Sequence, residues 1–277
     1  MTAGLSSAET RLWRGQIWTV AKSEIHRNLF SRRSLAVYLL VFMPLAVMLL
    51  RALFMPEALR VDPPHATTEF AEFFFFFFLR LVVFFVNAVI FVRLFRGEML
   101  ERSLHYTLLA PIRRDVLTTG KYLGGVVSSV LLLVPATALT YLLVYLPHGR
   151  AGLSLMFSAS GIANLLTYLL IVVLACLAYG ALFMLAGLYF KNPMIPALIF
   201  LGWETLTPFL PALLKSLSFV HYLASFAPVP VTLGAFAILA RPVSWWVALL
   251  ALLAASAVLV FLASRAARRL EVKYSAE

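Results

Sequence analysis

Long runs of hydrophobic residues dominate the chain and are separated by short polar segments. Six of these runs are about 20 residues or longer, which is enough for a helix to cross the roughly 30 Å hydrocarbon core of a bilayer. A backbone in lipid must satisfy its own hydrogen bonds, so such runs form helices. The pattern therefore predicts an all-α, polytopic membrane protein with a six-helix transmembrane domain over residues 35–264. The predicted spans are Leu35–Phe54, Ala71–Phe95, Leu123–Leu146, Ile162–Phe190, Met194–Leu214 and Trp245–Ser264.

The segment before the first span carries a different pattern. Apolar residues recur every four positions from Trp13 to Leu29, and the basic side chains lie mostly on the rest of the helical wheel. This spacing predicts an amphipathic helix that lies in the cytoplasmic interface of the membrane. No small-residue cleavage site follows the first apolar run, so residues 1–34 are predicted to form a cytoplasmic N-terminus that is not removed as a signal peptide.

The composition agrees with a membrane protein and predicts its orientation. The chain is 62% hydrophobic and 13% charged, whereas soluble proteins average about 25% charged residues. Of its 23 Lys and Arg, 17 lie in segments that are cytoplasmic if the N-terminus is inside. The positive-inside rule then predicts a multi-pass protein with both termini cytoplasmic and a tail at 265–277. The expected location is a cell membrane, in particular a bacterial inner membrane. The six exceptions are Arg51, Arg60, Arg80, Arg150, Lys215 and Arg241.

The distribution of the basic residues also explains the net charge of +11. A basic protein can bind nucleic acid, but here the charge follows the topology of the spans. The expected partners of the basic side chains are anionic membrane lipids, and no nucleic-acid partner is expected.

A charged cytoplasmic loop, residues 96–122, joins the second and third spans. Its leucines recur every four positions from Leu100 to Leu108, and Pro111 ends the helix because a proline excludes the residue before it from helical geometry. The spacing predicts an amphipathic helix whose apolar stripe packs on the protein's own bundle or in the groove of a partner. A solvated connector is the alternative. The charged residues around this helix and its exit include Glu98, Glu101, Arg102, His105, Arg113, Arg114 and Lys121.

The order of residues in this loop resembles the second-loop signature of ABC-type permeases of the type-2 family. The matching residues are Glu98, a leucine pair with Ala110-Pro111, an arginine in the turn, and Gly120-Lys121. The N-terminal interfacial helix, the six spans and a proline-broken external segment at 215–244 are similar to that family as well. Ser103-Leu104 departs from the Gly-Thr that the family often has at this place.

The resemblance implies a transmembrane subunit of an ATP-binding-cassette exporter. The loop helix would be the coupling helix and would dock in a cytoplasmic ATPase on a separate polypeptide, with a second permease copy or a sister permease completing the transporter. A lipid, a drug-like molecule or a peptide is the expected substrate. Force transmission to a periplasmic partner without solute transport is a further alternative. The residues implied in ATPase docking are Glu98, Glu101, Arg102, Leu104, Leu108 and Arg113.

No cofactor is expected on this chain itself. Gly120-Lys121 is its nearest approach to a phosphate-binding loop, but Asp115 and Tyr122 stand where that motif requires glycine and Ser or Thr. ATP and magnesium are therefore expected on the partner ATPase. The five histidines show no paired metal-ligand spacing, and no serine lies in a nucleophile-elbow pattern. Neither a metal site, nor catalytic residues, nor enzymatic activity is predicted.

Polar side chains within the spans are candidate functional residues. Glu204 lies midway in the predicted fifth span, where it pairs with Arg80, faces a substrate path or carries a coupling proton. The last of these would make the protein an ion- or proton-coupled secondary transporter. The resemblance implies that the second and fifth spans face the translocation path, which makes Asn87 and Glu204 candidates for contact with substrate.

Two further patterns concern packing. Gly120, Gly124 and Ser128 are four residues apart, which predicts a close approach of another helix at this face. Phe73–Phe78 is an uninterrupted aromatic run that covers every face of a helix. It is predicted to serve bundle packing and lipid contact, with stacking on an aromatic substrate as the alternative.

Overall fold

The computed structural model describes residues 7–31, 34–56, 62–100, 112–229 and 243–269, and all regular structure within these ranges is helical. The helices are α1 (Ser7–Phe30), α2 (Leu35–Phe54), α3 (Pro63–Phe73), α4 (Phe84–Leu100), α5 (Arg114–Tyr145), α6 (Gly149–Met156), α7 (Ala159–Tyr189), α8 (Met194–Leu206), α9 (Ala212–Lys215), α10 (Phe219–Ala224) and α11 (Trp245–Arg268). A π-helical segment, Phe74–Val83, joins α3 to α4 without a break.

Five helical stretches in these ranges are long and apolar enough to cross a membrane. The shortest has 20 residues, which at about 1.5 Å per residue matches a hydrocarbon core of roughly 30 Å. The expectation of an all-α protein with several membrane-spanning helices is therefore confirmed. The five stretches are Leu35–Phe54, Pro64–Leu100, Arg114–Met156, Ala159–Tyr189 and Trp245–Arg268.

The predicted fifth span is not confirmed as a full-length helix. α8 has 13 residues, or about 20 Å of helix, and the chain then makes one tight turn at Thr207–Phe209 and becomes extended at Leu210. Pro208 and Pro211 favour this early end, because each lacks the backbone N–H that would donate to the preceding turn of a continuous helix. Hydropathy alone predicted one continuous span across this break, since the residues on both sides of it are apolar.

Two short helices follow the break in the predicted fifth span, and the second of them lies in the segment at 215–244 that was predicted to be broken by prolines. α9 and α10 are four and six residues long, and residues 230–242 lie outside the described ranges. α10 is held against the bundle by Phe219, whose ring lies 5.6 Å from the rings of both Tyr179 and Phe200. The predicted proline-broken segment thus packs on the bundle in its described part.

The centre of the bundle is the contact of α4 with α7, and it depends on glycines. The ring of Phe91 on α4 lies against Gly125 of α5 and Gly180 of α7. A Cβ atom at Gly125 would come within 2.7 Å of that ring, and one at Gly180 within 2.4 Å. Both positions therefore require glycine for the helices to approach this closely.

The phenylalanine run is mainly a packing element. Phe74, Phe75 and Phe78 are buried, whereas Phe76 is 42% exposed on the outer surface of the bundle. Phe74 and Phe78 stack on each other, and Phe74 also contacts the ring of Tyr168 on α7. The prediction that this run serves both the bundle and its lipid-facing surface agrees with these contacts.

Candidate functional site

The N-terminal helix α1 is docked along α5. The row of small residues predicted to permit a close approach is the surface that receives it. A Cβ atom at Gly120 would lie 2.8 Å from the Cβ of Val20, and one at Gly124 would lie 2.7 Å from the Cβ of Glu24. The third member of the row, Ser128, accepts a hydrogen bond of 3.4 Å from the Asn28 side chain. The helix predicted from the sequence is present, and its inner face packs against α5.

This docking buries an ionic cluster, which we define as Glu24, Arg27, Glu98 and Lys121. The Nζ atom of Lys121 donates to Glu24 Oε1 and to Glu98 Oε1, both at 2.6 Å. Its third hydrogen bond, 2.9 Å long, goes to the backbone oxygen of Leu94. Lys121 is 1% exposed, so every donor of this ammonium group is used inside the protein.

Arg27 closes the cluster from the side nearer to solvent. Its Nη1 donates to Glu98 Oε1 at 2.7 Å, and its Nη2 donates to Glu24 Oε2 at 2.6 Å. Burial lowers the pKa of the Arg27 guanidinium, but the Glu24 and Glu98 carboxylates outweigh that effect and raise its pKa above the ordinary value. The arginine therefore stays charged.

The four charges of the cluster cancel, two positive against two negative. Taking an ion out of water costs several kcal/mol, and a buried pair recovers that cost only through good geometry and further hydrogen bonds. The short, mutual contacts of the cluster meet this condition. Removing one partner would leave an uncompensated buried charge, so the N-terminal helix and the ends of two spans depend on each other.

The cluster connects three segments that are far apart in the sequence. Glu98 lies two residues before the end of α4, and Lys121 lies two turns into α5. These two residues therefore bracket the loop on which a partner was predicted to dock. Because α1 contributes the other two members, the loop's two ends and the N-terminal helix are joined at one point.

The exit of the loop is held by contacts of its own. The Arg113 guanidinium lies 4.5 Å from the ring centroid of Trp13 on α1. The next two residues contact the end of α11: Arg114 donates to the backbone oxygen of Arg268 at 2.6 Å, and Asp115 accepts two hydrogen bonds from the Arg268 guanidinium. Residues 113–115 thus tie the third span to both α1 and the last helix.

The predicted docking residues fall into two groups. Glu98 and Arg113 are placed by the structure, the first inside the ionic cluster and the second against Trp13. The other predicted docking residues, Glu101, Arg102, Leu104 and Leu108, lie outside the described ranges. Sequence reasoning did not identify Glu24 and Arg27 as site residues. Their signal was an acidic side chain in a mainly basic helix, three residues before an arginine.

Asn87 is buried between α4 and α7. Its Nδ2 donates to the backbone oxygen of Val83 at 2.7 Å and lies 3.8 Å from Sγ of Cys176. Cys176 is itself fully buried and free of disulfides. The structure places Asn87 at a helix–helix contact.

Glu204 binds the start of α10. Its carboxylate accepts hydrogen bonds from the Ser218 hydroxyl at 2.6 Å and from the backbone N–H groups of Phe219 and Val220 at 2.8 and 3.0 Å. These N–H groups belong to the first turn of a helix and have no partner within it. Of the roles predicted for Glu204, a structural one fits these contacts, although the partners are the backbone of α10 and Ser218 and not Arg80.

Within the described ranges, no group of three or more His, Cys, Asp or Glu side chains could hold a metal ion. Comparison with known proteins gives no assignment either, since no family model matches the chain and no curated protein matches it at a significant level.

Proposed function

We propose that this protein is the transmembrane subunit of an ATP-driven exporter and that a separate cytoplasmic ATPase moves it by docking on the loop at 96–122. The working transporter would contain a second permease, either another copy of this chain or a sister subunit. A lipid, a drug-like molecule or a peptide is the proposed substrate class. The chain would lie in a bacterial inner membrane with both termini in the cytoplasm.

The observation that carries this proposal is the ionic cluster at the two ends of the loop. A partner that displaces the loop would pull on α4 through Glu98 and on α5 through Lys121. Because Glu24 is bonded to Lys121 and Arg27 is bonded to Glu98, α1 would move with them. A rigid, buried connection of this kind lets a soluble protein transmit a displacement into a membrane bundle.

The local packing supports placing ATP on the partner. Gly120 is the glycine nearest to a phosphate-loop pattern, yet its open face is covered by Val20 and by the backbone oxygen of Ile17. A phosphate group could not approach that backbone while α1 is docked. The adjacent Lys121 is fully engaged by two carboxylates and a carbonyl group. Neither residue has the access that nucleotide binding requires.

Purification of the tagged chain in mild detergent from its own cells tests the proposal. We expect a stoichiometric soluble protein with a Walker-type phosphate loop to accompany it, identified by mass spectrometry. The combined variant Glu101→Lys/Arg102→Glu should lose this protein, because it reverses two of the charges that are predicted to contact the ATPase. Glu98 is unsuitable for this test, since its reversal would also break the buried cluster.

A matched control reverses the same pair of charges elsewhere. Glu72 and Arg150 are exposed and lie on α3 and α6, outside the loop, so Glu72→Lys/Arg150→Glu should retain the ATPase. Recovery of the intact chain without any ATPase, together with ion-gradient-driven activity in sealed vesicles, would contradict the proposal. Equal loss of the ATPase in both variants would contradict the assignment of the loop as the docking site.

A further inference from the structure

A single charged residue lies within the apolar part of the second membrane-spanning stretch, Pro64–Leu100. It is Arg80, and positions 73–92 around it hold no other charged side chain. Arg80 belongs to the π-helical segment Phe74–Val83, and departures from α-helical geometry of this kind are frequent at functional sites. Ionisable side chains are costly inside a bilayer, and the few that occur there bind a partner or line the path of a ligand.

The guanidinium group of Arg80 has unused hydrogen-bond donors. No residue in the described ranges accepts a hydrogen bond from it or forms an ion pair with it, and its Nε is buried. The group lies 5.4 Å from the ring centroid of Phe76, whose side chain is exposed on the outer surface of the bundle. An arginine presents five N–H donors. Arg80 is itself partly exposed, so a ligand in the membrane can reach these donors.

A second unpaired donor lies nearby. Tyr179 on α7 is fully buried, and its hydroxyl has no hydrogen-bond partner in the part of the chain that the structure describes. Its ring packs against the rings of Phe84, Phe200 and Phe219. The hydroxyl is close enough to the Arg80 guanidinium for the two groups to interact electrostatically. Two donors without acceptors therefore lie in the same region of the bundle.

Glu204 interacts electrostatically with both groups but forms no ion pair or hydrogen bond with either of these two described side chains. Its carboxylate is occupied by the Ser218 hydroxyl and by two backbone N–H groups of α10. These three donors stabilise the Glu204 anion without Arg80. The carboxylate thus offsets the charge of the arginine from a distance, while the N–H donors of Arg80 and the Tyr179 hydroxyl remain available to another acceptor.

The chemistry of the two donors favours a carboxylate as that acceptor. The planar fork of a guanidinium matches the two oxygens of a carboxylate, and hydrogen bonds between charged groups are the strong ones. A carboxylate also carries one negative charge, which the one positive charge of Arg80 balances, whereas a phosphate monoester would bring a second negative charge toward Glu204. The residues that flank Arg80 are apolar, from Phe73 to Leu79 and from Leu81 to Val86. The rest of a ligand at this depth is therefore apolar as well.

We propose that Arg80 and Tyr179 form a binding site, within the membrane, for the carboxylate of an anionic amphiphile such as a fatty acid. The Arg80 guanidinium holds both carboxylate oxygens, the Tyr179 hydroxyl donates to one of them, and the ring of Phe76 contacts the apolar chain. The site uses no residue of the loop at 96–122. Binding is independent of the ATPase, so a failure of this proposal leaves the proposed transport function unaffected.

Binding of radiolabelled laurate to the whole purified chain in phosphatidylcholine nanodiscs tests the proposal, at an alkaline pH that keeps the laurate ionised. We expect saturable binding above that of empty nanodiscs. Unlabelled laurate should displace the label, whereas dodecanol, which lacks the charge, should not. Arg80→Gln should weaken binding by about tenfold or more, because it removes the charged fork. Arg80→Lys, which keeps the charge and removes the fork, should bind laurate with intermediate affinity. Tyr179→Phe keeps the ring and removes one neutral donor, so it should weaken binding by about three- to tenfold.

Arg265→Gln is the matched control. The Arg265 guanidinium lies 5.0 Å from the ring centroid of Phe261, four residues earlier, which repeats the contact of Arg80 with its own phenylalanine. Arg265 is exposed near the end of α11, so its replacement should leave laurate binding unchanged. The ligand-free Arg80→Gln protein should be at least as stable to heat as the intact chain, since the substitution breaks no hydrogen bond among the described residues.

Four results would overturn the proposal. Equal displacement of the label by laurate and by dodecanol would show that the carboxylate is not recognised, and this measurement needs no variant to fold. Equal losses in Arg80→Gln and Arg265→Gln would assign the effect to the general charge of the protein. A marked fall in the thermal stability of ligand-free Arg80→Gln would assign the arginine to the structure of the bundle. Conversion of a dimeric chain to a monomer by Arg80→Gln would assign the guanidinium to a contact between two copies.

Discussion

Replacement of Lys121 by methionine is expected to destabilise the protein strongly. The variant Lys121→Met leaves Glu24 and Glu98 buried and removes one of the two positive charges of the ionic cluster, so that Arg27 remains as its cation. Breaking a buried ion pair by removing one side costs about 3–5 kcal/mol, because the remaining charge is desolvated and uncompensated. The free energy of unfolding in mild detergent should fall by this amount, as followed by tryptophan fluorescence.

Two further variants separate the loss of the cluster from the loss of a lysine. Lys191→Met removes an exposed lysine from the link between α7 and α8 and should have little effect. Glu98→Gln/Lys121→Met removes one charge of each sign, so it should recover much of the stability lost in Lys121→Met. If Lys121→Met is as stable as Lys191→Met, the buried cluster does not hold the helices together.

Replacement of Glu204 by alanine is expected to release α10 from the bundle. The carboxylate accepts three hydrogen bonds from buried donors, and bonds to a charged group contribute about 1.5–3 kcal/mol each. Glu204→Ala should therefore lower the free energy of unfolding by several kcal/mol. It should also open a tryptic cleavage site at Lys215, which is now 4% exposed in the neighbouring turn.

Two further variants serve as controls for Glu204→Ala, one at the same position and one at a neighbouring residue. Glu204→Gln keeps an oxygen that can accept from the first turn of α10, so it should be less damaging than Glu204→Ala. Thr205→Ala changes an exposed neighbour and should leave cleavage at Lys215 unaltered. A fully stable Glu204→Gln protein that loses ion-gradient-driven uptake would instead favour a secondary transporter with Glu204 as its coupling carboxylate.

The membrane-spanning helices were predictable because hydropathy reports directly on transfer into lipid. Their ends were not, since the helices continue beyond the apolar runs into polar residues. α4 carries its helical geometry to Leu100, and α11 continues to Arg268, where Asp115 binds it. Hydropathy also missed the end of α8 at Leu206. Prolines ended that helix while the apolar composition continued.

Only part of the candidate site was predictable from the sequence, because residue spacing identifies the faces of helices but not which faces meet. Periodicity identified an apolar stripe on α1 and a small-residue row on α5, but it did not pair them. The sequence placed Glu98 and Lys121 at the two ends of one loop, and only the three-dimensional packing brings Glu24 and Arg27 to them. A buried charge cannot be distinguished from a surface charge by spacing alone, because burial depends on which helix covers it.

A distance measurement between the N-terminal helix and the link that joins α7 to α8 tests the central claim, that docking of the ATPase moves α1 through the ionic cluster. Spin labels at Lys22 and Lys191, both exposed, would be attached in a Cys176→Ala background within the complex with the ATPase. We expect the distance distribution to shift when ATP is bound. The shift should disappear in Glu98→Gln/Lys121→Met while the ATPase remains bound. An unchanged distance in the intact cluster would contradict the account.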